Sequence, residues 1–380
     1  MAAVIDDGAT PLAASLAAPP VILAEVRSGI GLLTLNRPAA LNALSLQMVQ
    51  DMHRQLRAWA DDGAVQAVVV RGAGEKAFCA GGDIRALYDS YRAGDGMYLQ
   101  FFEEEYALDL YIAEYPKPYI ALMDGYVMGG GMGISQNATV RIVTERTRLA
   151  MPEVGIGYFP DVGGSYFLPR LPGRLGLYLA LTGVQIRAAD ALYAGLADLW
   201  VPAAQLPELV QRLQGLDWRG GGDIQAAVAA LVADMQPAAA EPAPLAAVRA
   251  AIDRHFSLPD VAATMASLAA QAAEVAQGGA AKDSDPALAT WAADTHALMA
   301  RRSPLAMGVT RALLSRGASL PLAACLRMEL ALDRQWFARG DFMEGVRAVI
   351  VDKDQQPRWR PATVGEVDEA LVQSFFAEAT

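Results

Sequence analysis

Between residues 30 and 38 the chain reads IGLLTLNRP, an almost unbroken apolar run that predicts a buried strand ended by proline. The pattern then changes period. In SLQMVQDMHRQLRAWADD (45–62), Met48, Met52, Leu56 and Trp59 recur at helical spacing, and Ser45 stands where an N-cap hydroxyl is expected. AVQAVVVRG (64–72), YIALMDG (119–125) and TVRIVTE (139–145) are again short apolar runs and predict three more strands. Strands alternate with helices to about residue 202, which predicts an α/β unit. From about 203 the texture changes. RGGGD (219–223) and QPAAAEPAP (236–244) are linker-like, AAKDSDPA (280–287) predicts an exposed turn, and the intervening patterns are alanine-rich and helical. ASLPLAACLRMELALDRQWFARG (318–340) predicts an amphipathic helix ending at Gly340. The expected division is a flexible lead over 1–20, an α/β core over 21–202 and a mainly helical C-terminal region over 203–380.

Composition narrows the function classes. The 380 residues are 53% apolar and carry a formal charge of −11, which opposes binding to nucleic acid or to an anionic membrane surface. No run of 18 apolar residues is free of Pro, Gly or charge, so no membrane span is predicted. Cys79 and Cys325 are too few for a disulfide framework and read as buried thiols in a reducing compartment. The first 20 residues hold two aspartates and no Lys or Arg, which argues against a secretory signal or an Arg-rich transit peptide. A cytoplasmic protein is the expectation. His53, His255 and His296 stand far apart in sequence and predict no metal site.

Two glycine-rich turns carry the first chemical signal. FCAGGDI (78–84) and GYVMGGGMGIS (125–135) each put glycines where a strand gives way to a turn or helix. Exposed amides at such points bind negative charge, and two of them facing each other would make an oxyanion hole. Each run alone reads equally as a tight turn with close helix packing. Neither is a dinucleotide fingerprint. The second signal is MPEVGIGYFPDVGGSYFLPR (151–170), with Glu153 after a proline and Asp161 before a turn with two glycines. The residues alone allow a helix-end charge for Glu153 and a cap for a helix starting near Gly163 for Asp161. A carboxylate among Phe159, Val162 and glycines is nevertheless costly unless it has a partner or a task.

KAFCAGGDI, GYVMGGGMGIS and MPEVGIGYFPDVGG, in this order and at these spacings, resemble the crotonase (enoyl-CoA hydratase/isomerase) superfamily. FPDVGGSYFLPRLPGRLGLYLALTG (159–183) and RGDFMEGVRAVIVDKDQQPRWRP (339–361) resemble its 3-hydroxyisobutyryl-CoA hydrolase branch. The resemblance covers roughly 21–380 and is poorest over 217–300. It implies a spiral of repeated ββα units with a mainly helical C-terminal region. It implies oxyanion-hole amides at Gly82 and Gly130, catalytic acids at Glu153 and Asp161, and a substrate-contacting acid at Glu105 in FFEEEYALDL (101–110). Read without the resemblance, Glu105 belongs to a solvated run with Glu103 and Glu104.

Hydratase-like members carry a glutamate three residues after the middle glycine of the triplet, where this chain has Gly133. Their turn usually reads PGAGG, with glycine where this chain has Asp161. The implied activity is therefore hydrolysis of a short branched 3-hydroxyacyl-CoA, 3-hydroxyisobutyryl-CoA in valine breakdown, with a hydratase or double-bond isomerase as the alternative. Glu153 would act as general base or attack to form a mixed anhydride, and Asp161 would hold the 3-hydroxyl or the attacking water. Coenzyme A is part of the substrate, and no separate cofactor or metal is expected. Arg37 and Lys76 are the candidates for the CoA phosphates. The net charge and the retained acids oppose a non-catalytic RNA- or partner-binding member, and a homo-oligomer is left open.

Overall fold

The computed structural model describes residues 19–219, 222–235, 241–276 and 285–377. The expected lead over 1–20 lies outside these residues except for its last two, as do residues 220–221, 236–240 and 280–284 of the linker-like and turn segments. The chain enters through an antiparallel pair, β1 (Ile22–Arg27) and β2 (Ile30–Leu35). Their two-residue turn, Ser28–Gly29, has positive φ at both positions, which matches the twist of a hairpin. Ser45 caps α1 (Leu46–Asp61) by accepting from the Met48 amide, as the pattern predicts.

Three ββ units follow. β3 (Ala67–Gly72) leads to β4 (Ala77–Cys79), then to α2 (Ile84–Ala93) and α3 (Met97–Ala113). β5 (Tyr119–Met123) leads to β6 (Tyr126–Met128) and α4 (Gly130–Gln136). β7 (Val140–Val143) leads to β8 (Arg148–Ala150), a 3-10 turn over Glu153–Ile156 and α5 (Gly164–Phe167). The first strands join a six-stranded sheet of order β1-β2-β3-β5-β7-β9, closed by β9 (Leu199–Trp200). The second strands form a parallel sheet, β4-β6-β8. Because these three run the same way side by side, the residues that follow them share one edge. Gly82, Gly130 and Glu153 converge for this reason.

The large sheet is covered on both faces, so its strands read as continuous apolar runs. Alternate residues face opposite ways. Leu33, Leu35, Val68, Val70 and Met123 join the main core, whereas Ile30, Leu32, Val69, Ile120 and Ile142 meet a second cluster. Leu209, Leu213 and Val228 supply that second cluster from the helices Leu206–Leu213 and Ile224–Leu231. The helix read near 318–340 spans Leu322–Arg339, begins after Pro321 and ends at Gly340. It packs on α3 and α5, and the main core runs without a break from Leu33 to Phe376. Asp285 caps the helix Pro286–Met299. Cys79 and Cys325 are free and buried, and burial pushes the Cys79 thiol up to about 12. Among the described residues no helix is long and apolar enough to cross a membrane.

Candidate active site

The two glycine turns meet. A bridge between Leu44 and Gly82 locks the first, with the Leu44 amide donating to Gly81 O (2.8 Å) and the Asp83 amide to Leu44 O (2.9 Å). That pairing uses the Gly81 carbonyl and the Asp83 N–H and leaves the Gly82 N–H unengaged. Gly81 and Gly129 take positive φ (103° and 47°), where a side chain would be strained. A β-carbon built on Gly130 would lie 3.5 Å from the Gly82 nitrogen. Neither the Gly82 nor the Gly130 amide donates a hydrogen bond among the described residues. Both line a cavity of about 550 Å³.

Three of the acids named above line the same cavity: Glu105, Glu153 and Asp161. Glu153 opens the 3-10 turn after β8 and is 6% exposed. Its Oε2 is buried without a hydrogen-bond partner among the described residues. Burial, then the charge of Asp161, raises its carboxyl well above the ordinary range. Asp161 accepts from the Tyr106 hydroxyl at Oδ2 (2.8 Å). Burial pushes Asp161 up to about 7, while the Tyr106 donor pulls the other way. Asp161 does not cap α5. The Gly163 and Ser165 amides donate instead to Glu329 (2.8 and 3.0 Å), which reaches in from the Leu322–Arg339 helix. Val162, next to Asp161, holds φ at +50°, a strained conformation for a β-branched residue and one worth roughly 1–3 kcal/mol.

Glu105 is not part of a solvated run. Glu103 is exposed and pairs with Arg334, but Glu105 points inward and is 2% exposed. Burial, then Asp109 and Asp161, raises its carboxyl well above the ordinary range. Its Oε1 lies 2.5 Å from where a Gly130 β-carbon would stand. The neighbouring glycines repeat the arrangement: Glu153 Oε1 is 2.9 Å from the corresponding point on Gly129, and Asp109 Oδ2 is 2.7 Å from that on Gly133. The glycines of this turn therefore do two things. They free an amide and they make room for three carboxyls.

The sequence reading missed Tyr106, Asp109, Tyr158, Glu329 and Asp333, all buried around Asp161. A signal was present. Glu105 with Asp109, and Glu329 with Asp333, are i,i+4 pairs on helix faces that also carry Phe102, Ile112, Leu332 and Trp336. Acids at helical spacing within an apolar stripe are out of place unless they serve a site. Among the described residues no group of His, Cys, Asp and Glu side chains has the arrangement to hold a metal ion.

The two basic candidates fare differently. Arg37 lies beside the cavity and is tied to Asp83 (2.9 Å) and Ala43 O (2.6 Å), where it braces the Gly82 loop. Lys76 is exposed and precedes β4, at the end of that strand away from Gly82, and the structure does not bring it to the cavity. Arg85, at the start of α2, lines the cavity instead. As a whole the cavity offers two free N–H donors for a carbonyl oxygen, a basic carboxyl next to them, and an aromatic wall of Phe101, Phe102, Tyr158 and Phe342. That combination suits chemistry at an activated carbonyl.

Comparison with known proteins gives the same picture. The family model described as enoyl-CoA hydratase/isomerase matches residues 30–376. A zebrafish (Danio rerio) protein named 3-hydroxyisobutyryl-CoA hydrolase, mitochondrial, is 40% identical over 356 residues, covering 94% of this chain and 89% of that relative. The human protein of the same name is 36% identical and covers 93% and 88%. A crystal structure titled carnitinyl-CoA dehydratase, from Mycobacterium thermoresistibile, superposes with a TM-score of 0.82 at 41% identity, over 95% of this chain and 99% of that one. One titled enoyl-CoA hydratase, from Rhodobacter sphaeroides, gives 0.81 at 38% identity, over 94% and 97%. The hydrolase relatives are named as mitochondrial, which overturns the cytoplasmic expectation drawn from composition. The ββα spiral, the convergent glycine turns and a match spanning nearly all of the described residues lead to one conclusion: the chain belongs to the enoyl-CoA hydratase/isomerase family.

Proposed function

We propose that this protein hydrolyses the thioester of a short branched 3-hydroxyacyl-CoA, with 3-hydroxyisobutyryl-CoA as substrate and 3-hydroxyisobutyrate and CoA as products, a step of valine breakdown. One observation carries the reading: the unengaged amides of Gly82 and Gly130 share a cavity with Glu105, Glu153 and Asp161. The name of the relatives at 36–40% identity supports the same substrate.

The thioester oxygen docks between the two amides, which stabilise the charge that develops as water adds to the carbonyl carbon. Glu153 takes the proton from that water. The tetrahedral intermediate then expels the CoA sulfur, which recovers a proton from Glu153. A covalent route, in which Glu153 attacks and water cleaves the resulting anhydride, uses the same geometry. Asp161 receives the 3-hydroxyl on the oxygen that Tyr106 leaves free, and Glu105 bounds the same polar end. An acyl group without the hydroxyl leaves that acid unpaired, which gives selectivity. Arg85 at the cavity and Arg37 beside it supply positive charge for the CoA phosphates.

Free-thiol release tests the reading. We expect rapid release from 3-hydroxyisobutyryl-CoA and little from isobutyryl-CoA. Release falls about 10³-fold in Glu153→Gln, and the preference for the hydroxylated substrate is lost in Asp161→Asn. Absence of thiol release from wild type overturns it. Hydration or dehydration is the second reading, prompted by the titles of the two solved relatives and opposed by glycine at 133. An absorbance change with crotonyl-CoA, without thiol release, would establish it.

A further inference from the structure

The proposed chemistry needs Asp161 held in one orientation, yet the turn that carries it is strained. The Gly164 amide donates to Asp161 O (2.7 Å), and the two residues between, Val162 and Gly163, both take positive φ (50° and 83°). Positive φ at both central positions is the geometry of a primed turn, which Gly, Asn and Asp adopt readily. A β-branched residue keeps such a conformation only where its surroundings over-determine it. Val162 also lines the cavity beside Asp161, so any relaxation of the turn is felt there.

The Leu322–Arg339 helix supplies the constraint. Glu329, which has no exposed surface, accepts from the Gly163 amide at Oε2 (2.8 Å) and from the Ser165 amide at Oε1 (3.0 Å). The Ser165 hydroxyl donates to the same Oε1. Two more side chains of this helix reach the start of the segment. The Tyr158 hydroxyl donates to Asp333 Oδ1, and Trp336 Nε1 donates to Gly157 O (2.9 Å). Residues 329, 333 and 336 are spaced i, i+4 and i+7, so they share one face of the helix. That face pins the stretch 157–165 at both ends, with Asp161 between them. The Asp161 carboxyl itself is bonded by a single side chain among the described residues, the Tyr106 hydroxyl, so its direction depends on the backbone of its turn.

We propose that Glu329 is a positioning residue for Asp161: its carboxyl clamps the strained turn through the Gly163 and Ser165 amides and so aims the Asp161 carboxyl at the 3-hydroxyl of the substrate. A buried carboxyl is a costly way to tie down a turn, and its two acceptor oxygens match the two amides to be held. Without the clamp Val162 relaxes toward negative φ and the Asp161 carboxyl turns away. Gly82, Gly130 and Glu153 stand on other turns and keep their places. Loss of Glu329 therefore removes recognition of the hydroxyl and spares the reaction at the thioester.

The kinetic consequence rests on the hydrolase reading, whereas the clamp itself does not. The experiment therefore has two readouts: kcat/KM for thiol release from 3-hydroxyisobutyryl-CoA and from isobutyryl-CoA, and amide hydrogen exchange of the 157–167 stretch in substrate-free protein. In Glu329→Ala we expect kcat/KM for the hydroxylated substrate to fall about 10- to 100-fold, the slow release from isobutyryl-CoA to stay as it was, and exchange to quicken in that stretch. Added to Asp161→Asn, the same substitution lowers the preference no further, because both remove one interaction. Glu329→Gln keeps an acceptor for Ser165 and lacks one for Gly163, so its preference lies between wild type and Glu329→Ala; it also serves where the alanine variant does not fold. Equal losses on both substrates overturn the proposal, since they mark a support of the fold. A wild-type preference in either folded variant overturns it, as does a loss that multiplies with that of Asp161→Asn. Quickened exchange in Glu329→Ala, with no thiol release from wild type, would uphold the clamp and remove the hydrolase reading alone.

Discussion

The two faces of the large sheet are made from alternate residues of the same strands, yet they have opposite characters. The back face closes with Ile30, Leu32, Val69, Ile120 and Ile142 against Leu209, Leu213 and Trp218, and none of the buried acids comes from that layer. Of the eight buried carboxyl groups among the described residues, six surround the cavity in the front core: Glu105, Asp109, Glu153, Asp161, Glu329 and Asp333. Apolar burial stabilises both faces at about 25 cal/mol per Å². Only the front gives part of that back, because every acid there is desolvated and several repel one another. The comparison separates the work of the layers: the back holds the sheet together, and the front trades stability for chemistry.

The largest test of this division is Glu153→Gln. Thiol release should fall about 10³-fold, while the thermal midpoint at pH 8 rises, because a buried acid has been replaced by a neutral amide. A fall in both would put Glu153 among the supports of the fold.

Next comes the pH dependence of stability. The Asp161 carboxyl moves from 3.8 to about 7 and that of Glu329 from 4.5 to about 8, so the folded state holds both protons more tightly than the unfolded chain does. Their contribution is fully present below pH 4 and is lost as pH rises through 7 and 8, up to roughly 4 kcal/mol for each. Denaturant titrations at pH 5.5 and 8.5 should show lower stability at the higher pH, with the difference reduced in Asp161→Asn. A flat profile would mean that the front acids are solvated.

Ile120→Ala probes the back. It should cost about 2–5 kcal/mol by equilibrium unfolding and leave both the pH slope and kcat/KM unchanged. A changed pH slope would show that the two faces are coupled. The smallest effect is expected for Arg37→Ala. Arg37 and Asp83 are about a quarter exposed (25% and 27%), so the lost pair is worth about 1 kcal/mol or less. Steady-state kinetics should show a several-fold fall in kcat/KM as the Gly82 loop loosens, and no change would mean that the Leu44 bridge holds the loop unaided.

Much of the back face was legible in the sequence, and less of the front. Runs such as AVVV and YIAL mark strands covered on both sides, and Ser45 and Gly340 bound their helices as the local pattern predicts. The three-residue strands β4, β6 and β8 escaped, because three residues carry too little periodicity to register. In the site, the FCAGGDI and MGGGMG turns and the pair Glu153 and Asp161 stood out because acids and glycines among apolar residues are anomalous locally. Glu105 was masked by Glu103 and Glu104, since a charge run reads as solvated until the helix face is known. Asp333 and Glu329 lie more than 160 residues from the turn they serve, and only tertiary packing reveals the partnership.

The carboxyls that back the glycine turn also order the steps by which this protein can change. Replacement of Gly130 first meets Glu105, and replacement of Gly133 meets Asp109 and Val162, each within 2.7 Å. A lineage moving toward the second acid of the hydratases could not acquire glutamate at 133 directly. Asp109 must shrink and Val162 must give way beforehand, and until they do a side chain at 133 has no room. The mutational paths between the two activities are therefore sequential, and the same substitution is blocked or accommodated according to what preceded it.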